Sequence, residues 1–190
     1  METEITAQVL CSMEELILIL NKAGFLLSES FVMQDYYFSS LPSGTNFKEV
    51  SYNELLSKSF IIRRIDEANH SQTHFLYKHK EFDNLGNVIG EHKTLTYLED
   101  SENAISVLHL AGLKEWCKVL QENFVYTNGK IEIVVQKVKD LGLFIEIEEY
   151  AGLQGTSAEK FDKLVKIIKE LNIPVTDNFS CKKVYMLLNK

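Results

Sequence analysis

Residues 138–148 read VKDLGLFIEIE, and the fold class follows from how that stretch is read. Lys139-Asp140-Leu141-Gly142 is turn chemistry, because Asp and Gly accept the backbone conformations a tight reversal needs. From 143 to 150 the chain reads as a strand. Residues two apart on a strand share a face, so Glu146 and Glu148 project together.

Working back, residues 130–138 and 113–126 are two more strands. Asn128-Gly129 between them predicts a hairpin with a type I′ turn. Further upstream, 100–111 reads as a helix ended by Gly112, and 87–97, 70–82 and 59–66 as strands. Asp83-Asn84-Leu85-Gly86 turns the second of these into the first. Ser51 with Glu54 marks a short helix. Residues 25–39, rich in aromatic and β-branched types, form a long strand broken by Pro42-Ser43-Gly44. Ser12 with Glu15 is a capping box ahead of Leu16, Ile17, Ile19 and Leu20, and Gly24 stops that helix. Residues 2–10 alternate as a first strand, with Glu2 and Glu4 on one face.

Downstream, Thr156 with Glu159 caps a helix over 157–171. Phe161, Leu164, Val165, Ile168 and Leu171 form its apolar stripe. After Pro174 the tail carries a short helix near Val184–Leu188. The result is eight strands, mostly joined by hairpins or single helices: a mainly antiparallel β, α+β chain. Its long strands carry polar or charged residues at alternate positions. A closed eight-stranded barrel with flanking helices removes the sheet edges and lets one face line a charged tunnel.

The composition sets outer bounds. The chain has 190 residues, 45% hydrophobic and 25% charged, which is ordinary for one globular domain spanning 1–190. A formal net charge of −7 argues against a nucleic-acid polymer as partner. Cys11, Cys117 and Cys181 are odd in number and lack CxxC spacing, which argues against a disulfide framework or a zinc site and predicts a cytoplasmic protein. The N-terminus has neither the basic start nor the apolar run of a signal peptide. The longest apolar stretch, about Leu16–Leu20, is far short of the roughly 20 residues of a membrane span. No Walker loop and no GxSxG elbow occurs.

If the first and last strands are neighbours in the barrel, Glu2, Glu4, Glu146 and Glu148 converge. A carboxylate set without His or Cys suits Mg²⁺ or Mn²⁺ better than zinc. Arg63, Arg64, Lys78, Lys80 and Lys118 also lie on predicted strands. Arginine clamps phosphate oxygens with two hydrogen bonds, and lysine acts as a point charge. Arg63 and Arg64 are adjacent and cannot both face inward. An ExE pair or a strand lysine also suits a solvent-facing sheet, so convergence into one enclosed space is the deciding property.

The order of these motifs resembles the CYTH, or triphosphate-tunnel, family, which contains class IV adenylyl cyclases, thiamine triphosphatases and inorganic triphosphatases. Glu2-Thr3-Glu4-Ile5-Thr6 is similar to the family's ExExK strand, and Asp35-Tyr36-Tyr37-Phe38 to its DxYF segment. Phe60-Ile61-Ile62-Arg63-Arg64 looks like LRIRR, and Leu76-Tyr77-Lys78 like its lysine-bearing strand. Residues 138–148 resemble VxGLGxFxExE. Leu171-Asn172-Ile173 and Tyr185-Met186-Leu187-Leu188 resemble the family's ending. The likeness covers nearly the whole chain.

The resemblance implies a tunnel in which basic side chains hold triphosphate oxygens and carboxylates hold Mg²⁺ or Mn²⁺. By that alignment Arg63 is the inward arginine. The reaction implied is hydrolysis of the terminal phosphoryl group or cyclisation of ATP. The implied partner is a small molecule bearing a triphosphate, and a homodimer is also compatible with a small barrel that exposes a helix.

Several positions depart from the pattern. Thr6 stands for the lysine of ExExK, Ile61 for the first arginine of LRIRR, and Gln136 for an aspartate. Lys93, Thr94 and Thr96 stand where an acidic pair is usual. Lys118 is followed by Val119, Leu120 and Gln121 in place of arginine. Each change removes a charge or alters its sign. Two functions follow: a metal-dependent triphosphate enzyme, or a catalytically degenerate module of the same fold that senses a phosphorylated small molecule or a protein partner.

Overall fold

A computed structural model describes residues 3–57, 59–82 and 88–190, with the side chains of 78–82 and 88–93 outside the description. Eight strands form one antiparallel sheet: β1 (Glu4–Gln8), β2 (Leu26–Ser39), β3 (Ser59–Asp66), β4 (Ser71–Phe82), β5 (Val88–Leu98), β6 (Lys114–Thr127), β7 (Glu132–Val138) and β8 (Gly142–Glu148). Five helices flank it: α1 (Met13–Lys22), α2 (Tyr52–Ser57), α3 (Ser101–Leu110), α4 (Ser157–Glu170) and α5 (Lys183–Leu188). The hydrogen-bonded order is β1-β8-β7-β6-β2-β3-β4-β5. The α+β class and the strand count agree with the sequence reading. The first and last strands of the chain are neighbours in the sheet, as the alternation argument required. The turn predicted at 83–86 lies outside the described residues.

The caps read from the sequence are present. Ser12 accepts from the Glu15 amide and Glu15 reaches back to the Ser12 amide; Thr156 and Glu159 do the same for α4. Asp100 caps α3 by accepting from the amides of Glu102 and Asn103. Each satisfies backbone donors that a helix start leaves unpaired.

The β6–β7 connection differs from the two-residue type I′ turn. Thr127 pairs with Glu132, so the loop holds four residues. A type I′ turn needs positive φ at both central residues. Gly129 has φ +82°, but Asn128 does not lie in that region. The Asn128 side chain instead accepts from the amides of Lys130 and Ile131, both at 3.0 Å. The Thr127 hydroxyl donates to the Ile131 carbonyl at 3.2 Å. Side-chain capture of the loop amides replaces the backbone turn. At the β7–β8 connection Val138 pairs with Gly142. Asp140 at φ +67° lies inside that three-residue link and Gly142 at φ +96° opens β8; both are in the left-handed region.

The chain forms two compact units. The first takes Val32–Leu120 and Lys183–Lys190, the second the chain up to Phe31 and Gln121–Lys182. In the second unit, Ile5, Ala7, Ile133, Val135, Ile145 and Ile147 lie on one face of β1, β7 and β8. They pack with Leu16 and Leu20 of α1 and with Leu164 and Ile168 of α4 into one apolar core. That core fixes the register. A slip of one residue would turn the isoleucines away from the helices and bring Glu146 and Glu148 in.

The outer edge of β1 is covered by the segment 174–181. The Thr6 amide donates to the Phe179 carbonyl at 3.0 Å, and the amides of Cys181 and Thr176 donate to the carbonyls of Thr6 and Gln8 at 3.0 and 2.9 Å. A covered edge cannot recruit a foreign strand.

In the first unit Phe38, Ile62 and Leu55 are fully buried. Phe60 stacks on Phe75 and Tyr77 with ring centroids 5.7 and 5.1 Å apart. Trp116 is buried. Its Nε1 donates to Ser59 Oγ at 2.9 Å, and Ser59 donates to the Leu55 carbonyl at 2.5 Å.

Candidate functional site

The second unit turns its isoleucines to the core, so the opposite face of the same strands carries the even-numbered residues of β1 and β8. Glu4 pairs with Glu148 and Thr6 with Glu146 across the β1–β8 ladder. One carboxylate oxygen from each of Glu4, Glu146 and Glu148 lies within 4.8 Å of the others. The Thr6 hydroxyl donates to Glu146 at 3.3 Å. A threonine at this position brings a neutral donor into the cluster where the resemblance implied a cation. Glu2 lies outside the described residues.

The same face continues across β7 and β6. Gln136 pairs with Phe144 on one side and Asn123 on the other, and Gln121 pairs with Val138. Gln121, Asn123 and Gln136 are 1–3% exposed. Gln121 Nε2 donates to Asn123 Oδ1 at 2.6 Å. This face therefore runs from carboxylates at β1–β8 to buried neutral amides at β6.

The first unit holds Arg63. Asp35 and Arg63 sit directly opposite each other on β2 and β3. The guanidinium makes two parallel hydrogen bonds to the Asp35 carboxylate, from Nε at 2.7 Å and Nη2 at 2.6 Å. Asp35 is 3% exposed. This fork-to-fork pairing holds both charges in register. It commits two of the five guanidinium donors and neutralises the arginine locally. Tyr37, two residues along, has its phenol pushed well above the usual range, first by burial and then by the Asp35 charge.

The other basic candidates are placed differently. Arg64 points to the opposite face from Arg63, as alternation demands, and pairs with Asp66 at 2.8 Å. That pair, with Arg64 41% exposed, is a surface contact of small energetic weight. Lys118 is exposed, its Nζ 4.4 Å from the centroid of the Tyr36 ring. The buried positions of β6 are Trp116, Val119, Gln121, Asn123, Val125 and Tyr126, and Lys118 alternates with the buried Val119, Gln121 and Asn123, so it faces away from them. The side chains of Lys78 and Lys80, and of His79 and His92, lie outside the described residues. His74 is 9% exposed and edge-on to Tyr97, at 4.8 Å between ring centroids.

Of the sequence-predicted site residues, the structure thus brings together Glu4, Glu146 and Glu148, and sets Arg63 on Asp35. The Asp35–Arg63 pairing, the Thr6–Glu146 contact and the buried amide pair were not foreseen. Asp35 and Arg63 had each been picked out as motif residues, but only the register joins them.

No family model and no curated protein matches the chain. Solved structures do. A protein from Pyrococcus horikoshii aligns over 100% of this chain and 99% of its own with a TM-score of 0.73 and 20% identity. A candidate adenylyl cyclase from Hippeastrum, described as having a dominant triphosphatase activity, aligns over 100% of this chain and 95% of its own at TM-score 0.57 and 11% identity. A chain of the Schizosaccharomyces pombe Mediator head module aligns over 92% and 96% at TM-score 0.59 and 8% identity. Identities this low establish a shared fold: this chain has the fold of the Pyrococcus protein, of the Hippeastrum adenylyl cyclase candidate and of a Mediator head subunit.

Proposed function

We propose that this chain binds a triphosphate-bearing small molecule with Mg²⁺ or Mn²⁺ and hydrolyses its terminal phosphoryl group. The observation that carries the reading is the approach of Glu4, Glu146 and Glu148 to within 4.8 Å. Three carboxylates and no nitrogen or sulfur form a hard donor set. Mg²⁺ and Mn²⁺ prefer such a set and complete their shells with water and phosphate oxygens. Glu2 is the fourth ligand in this reading, and Arg63, Lys78 and Lys80 are the phosphate contacts. When bound, the metal would polarise phosphoryl oxygens and offset the charge of the leaving group. Arg64 and Lys118, engaged with Asp66 and Tyr36, are left out.

The test is phosphate release from inorganic triphosphate, thiamine triphosphate and ATP by purified protein with Mg²⁺ or Mn²⁺. Glu146→Gln should abolish it. Release that survives this substitution places the chemistry elsewhere.

A second reading has its own support. The Arg63 fork is closed on Asp35, and the fold also occurs in a subunit of the Mediator head module. In this reading the chain senses a phosphorylated molecule or a protein partner without turnover. A triphosphate would then raise the melting temperature and be recovered intact.

A further inference from the structure

The buried amide pair on β6 has chemistry that a phosphate chain does not satisfy. Gln121 and Asn123 are 1% and 2% exposed. They share one hydrogen bond, Gln121 Nε2 to Asn123 Oδ1 at 2.6 Å. Gln121 Oε1 and Asn123 Nδ2 have no partner among the described residues. Exchanging O and N in both side chains leaves the same inventory, one open carbonyl oxygen and one open amino group. A buried polar atom without a partner costs more than an ordinary hydrogen bond gains, and native chains keep few of them.

These two atoms sit on the face that carries Glu4, Thr6, Glu146 and Glu148, away from the apolar core. Asn123 is two strands and two residues along from Glu146. Strand spacing and rise put their backbones roughly 12 Å apart. The metal-binding end and the amide end are thus separate parts of one surface.

We infer that Gln121 and Asn123 read an organic head group, so that the ligand is an organic triphosphate and not inorganic triphosphate. This rests on the triphosphate reading above and adds to it. Phosphate oxygens only accept hydrogen bonds; the open amide carbonyl repels them. A group with a donor beside an acceptor satisfies both amide atoms at once. The edge of a nucleobase has that pattern, and so does an aminopyrimidine. The arginine that the resemblance implies after Lys118 would suit phosphate; the neutral amides of Gln121 and Asn123 suit a head group.

The test compares affinities by ligand-dependent thermal stabilisation with Mg²⁺ present. The panel is inorganic triphosphate, the four common ribonucleoside triphosphates and thiamine triphosphate, which separates the nucleobase from the aminopyrimidine source. At least one organic triphosphate should bind about tenfold more tightly than inorganic triphosphate. Gln121→Leu and Asn123→Leu should each raise its Kd by about tenfold while leaving that of inorganic triphosphate unchanged. Equal affinity for inorganic and organic triphosphates overturns the inference and leaves the triphosphate reading standing. So does a preference that survives both substitutions. Binding of none of them overturns both. If the leucine variants do not fold, the wild-type comparison decides alone.

Discussion

Replacing Asp35 by alanine strips the Arg63 guanidinium of two charge-assisted hydrogen bonds at once. Asp35 and Arg63 face each other across the β2–β3 ladder, with donor–acceptor distances of 2.7 and 2.6 Å. Their side chains are 4% and 21% exposed. Removing one partner of a buried pair costs about 3–5 kcal/mol, because the other charge stays in a poorly solvating place. Water reaches about a fifth of Arg63, which moves the expectation to the lower end, about 3 kcal/mol. For a chain of this size that is a fall in Tm of about 6–12 °C.

The double variant Asp35→Ala with Arg63→Met removes both charges and should recover much of the loss, a coupling of about 2 kcal/mol. Urea unfolding of the wild type, both single variants and the double variant measures this directly. If Asp35→Ala lies within about 0.5 kcal/mol of wild type, or if the two substitutions simply add, the two charges are not energetically coupled.

Two further outcomes follow from burial. Ile147→Ala, at a fully buried position between β1, β8 and the helices, should cost about 2–5 kcal/mol, while Leu110→Ala, 88% exposed, should stay within about 0.5 kcal/mol; urea midpoints compare them. Burial pushes the Cys117 thiol up to about 11 from an ordinary value of 9.0. Between about pH 9 and 11 the unfolded chain therefore releases this proton and the folded chain keeps it. Stability falls as pH rises through that window, and the fall should be smaller in Cys117→Ala.

Much of the fold could be read directly from the residues because local chemistry sets it. The capping boxes at Ser12 and Thr156 and the stripe from Phe161 to Leu171 specify α1 and α4 without reference to the rest of the chain. The Glu146–Glu148 pair was legible in the same way, since alternation alone puts both on one face. What escaped the sequence depends on register and on competition between nearby groups. Asn128 turns its own side chain onto the loop amides in place of a type I′ turn. Lys118 alternates with the buried Val119, Gln121 and Asn123, and which of the two faces of β6 is buried depends on packing the strand alone does not contain. The salt bridge of Asp35 with Arg63 needs the β2–β3 register, which no spacing within either strand contains. The segment 174–181 looked like a tail and proves to be the cover of the β1 edge.

The claim on which the functional account depends is that Glu4, Glu146 and Glu148 together hold a divalent cation. Titration of Mn²⁺ into the purified protein, read by the loss of its free-ion electron paramagnetic resonance signal, tests it without reference to any substrate. Wild type should take up Mn²⁺ saturably, Mg²⁺ should compete, and Glu146→Gln should weaken uptake by about tenfold or more. Equal uptake by wild type and Glu146→Gln, or no saturable uptake at all, would contradict the account.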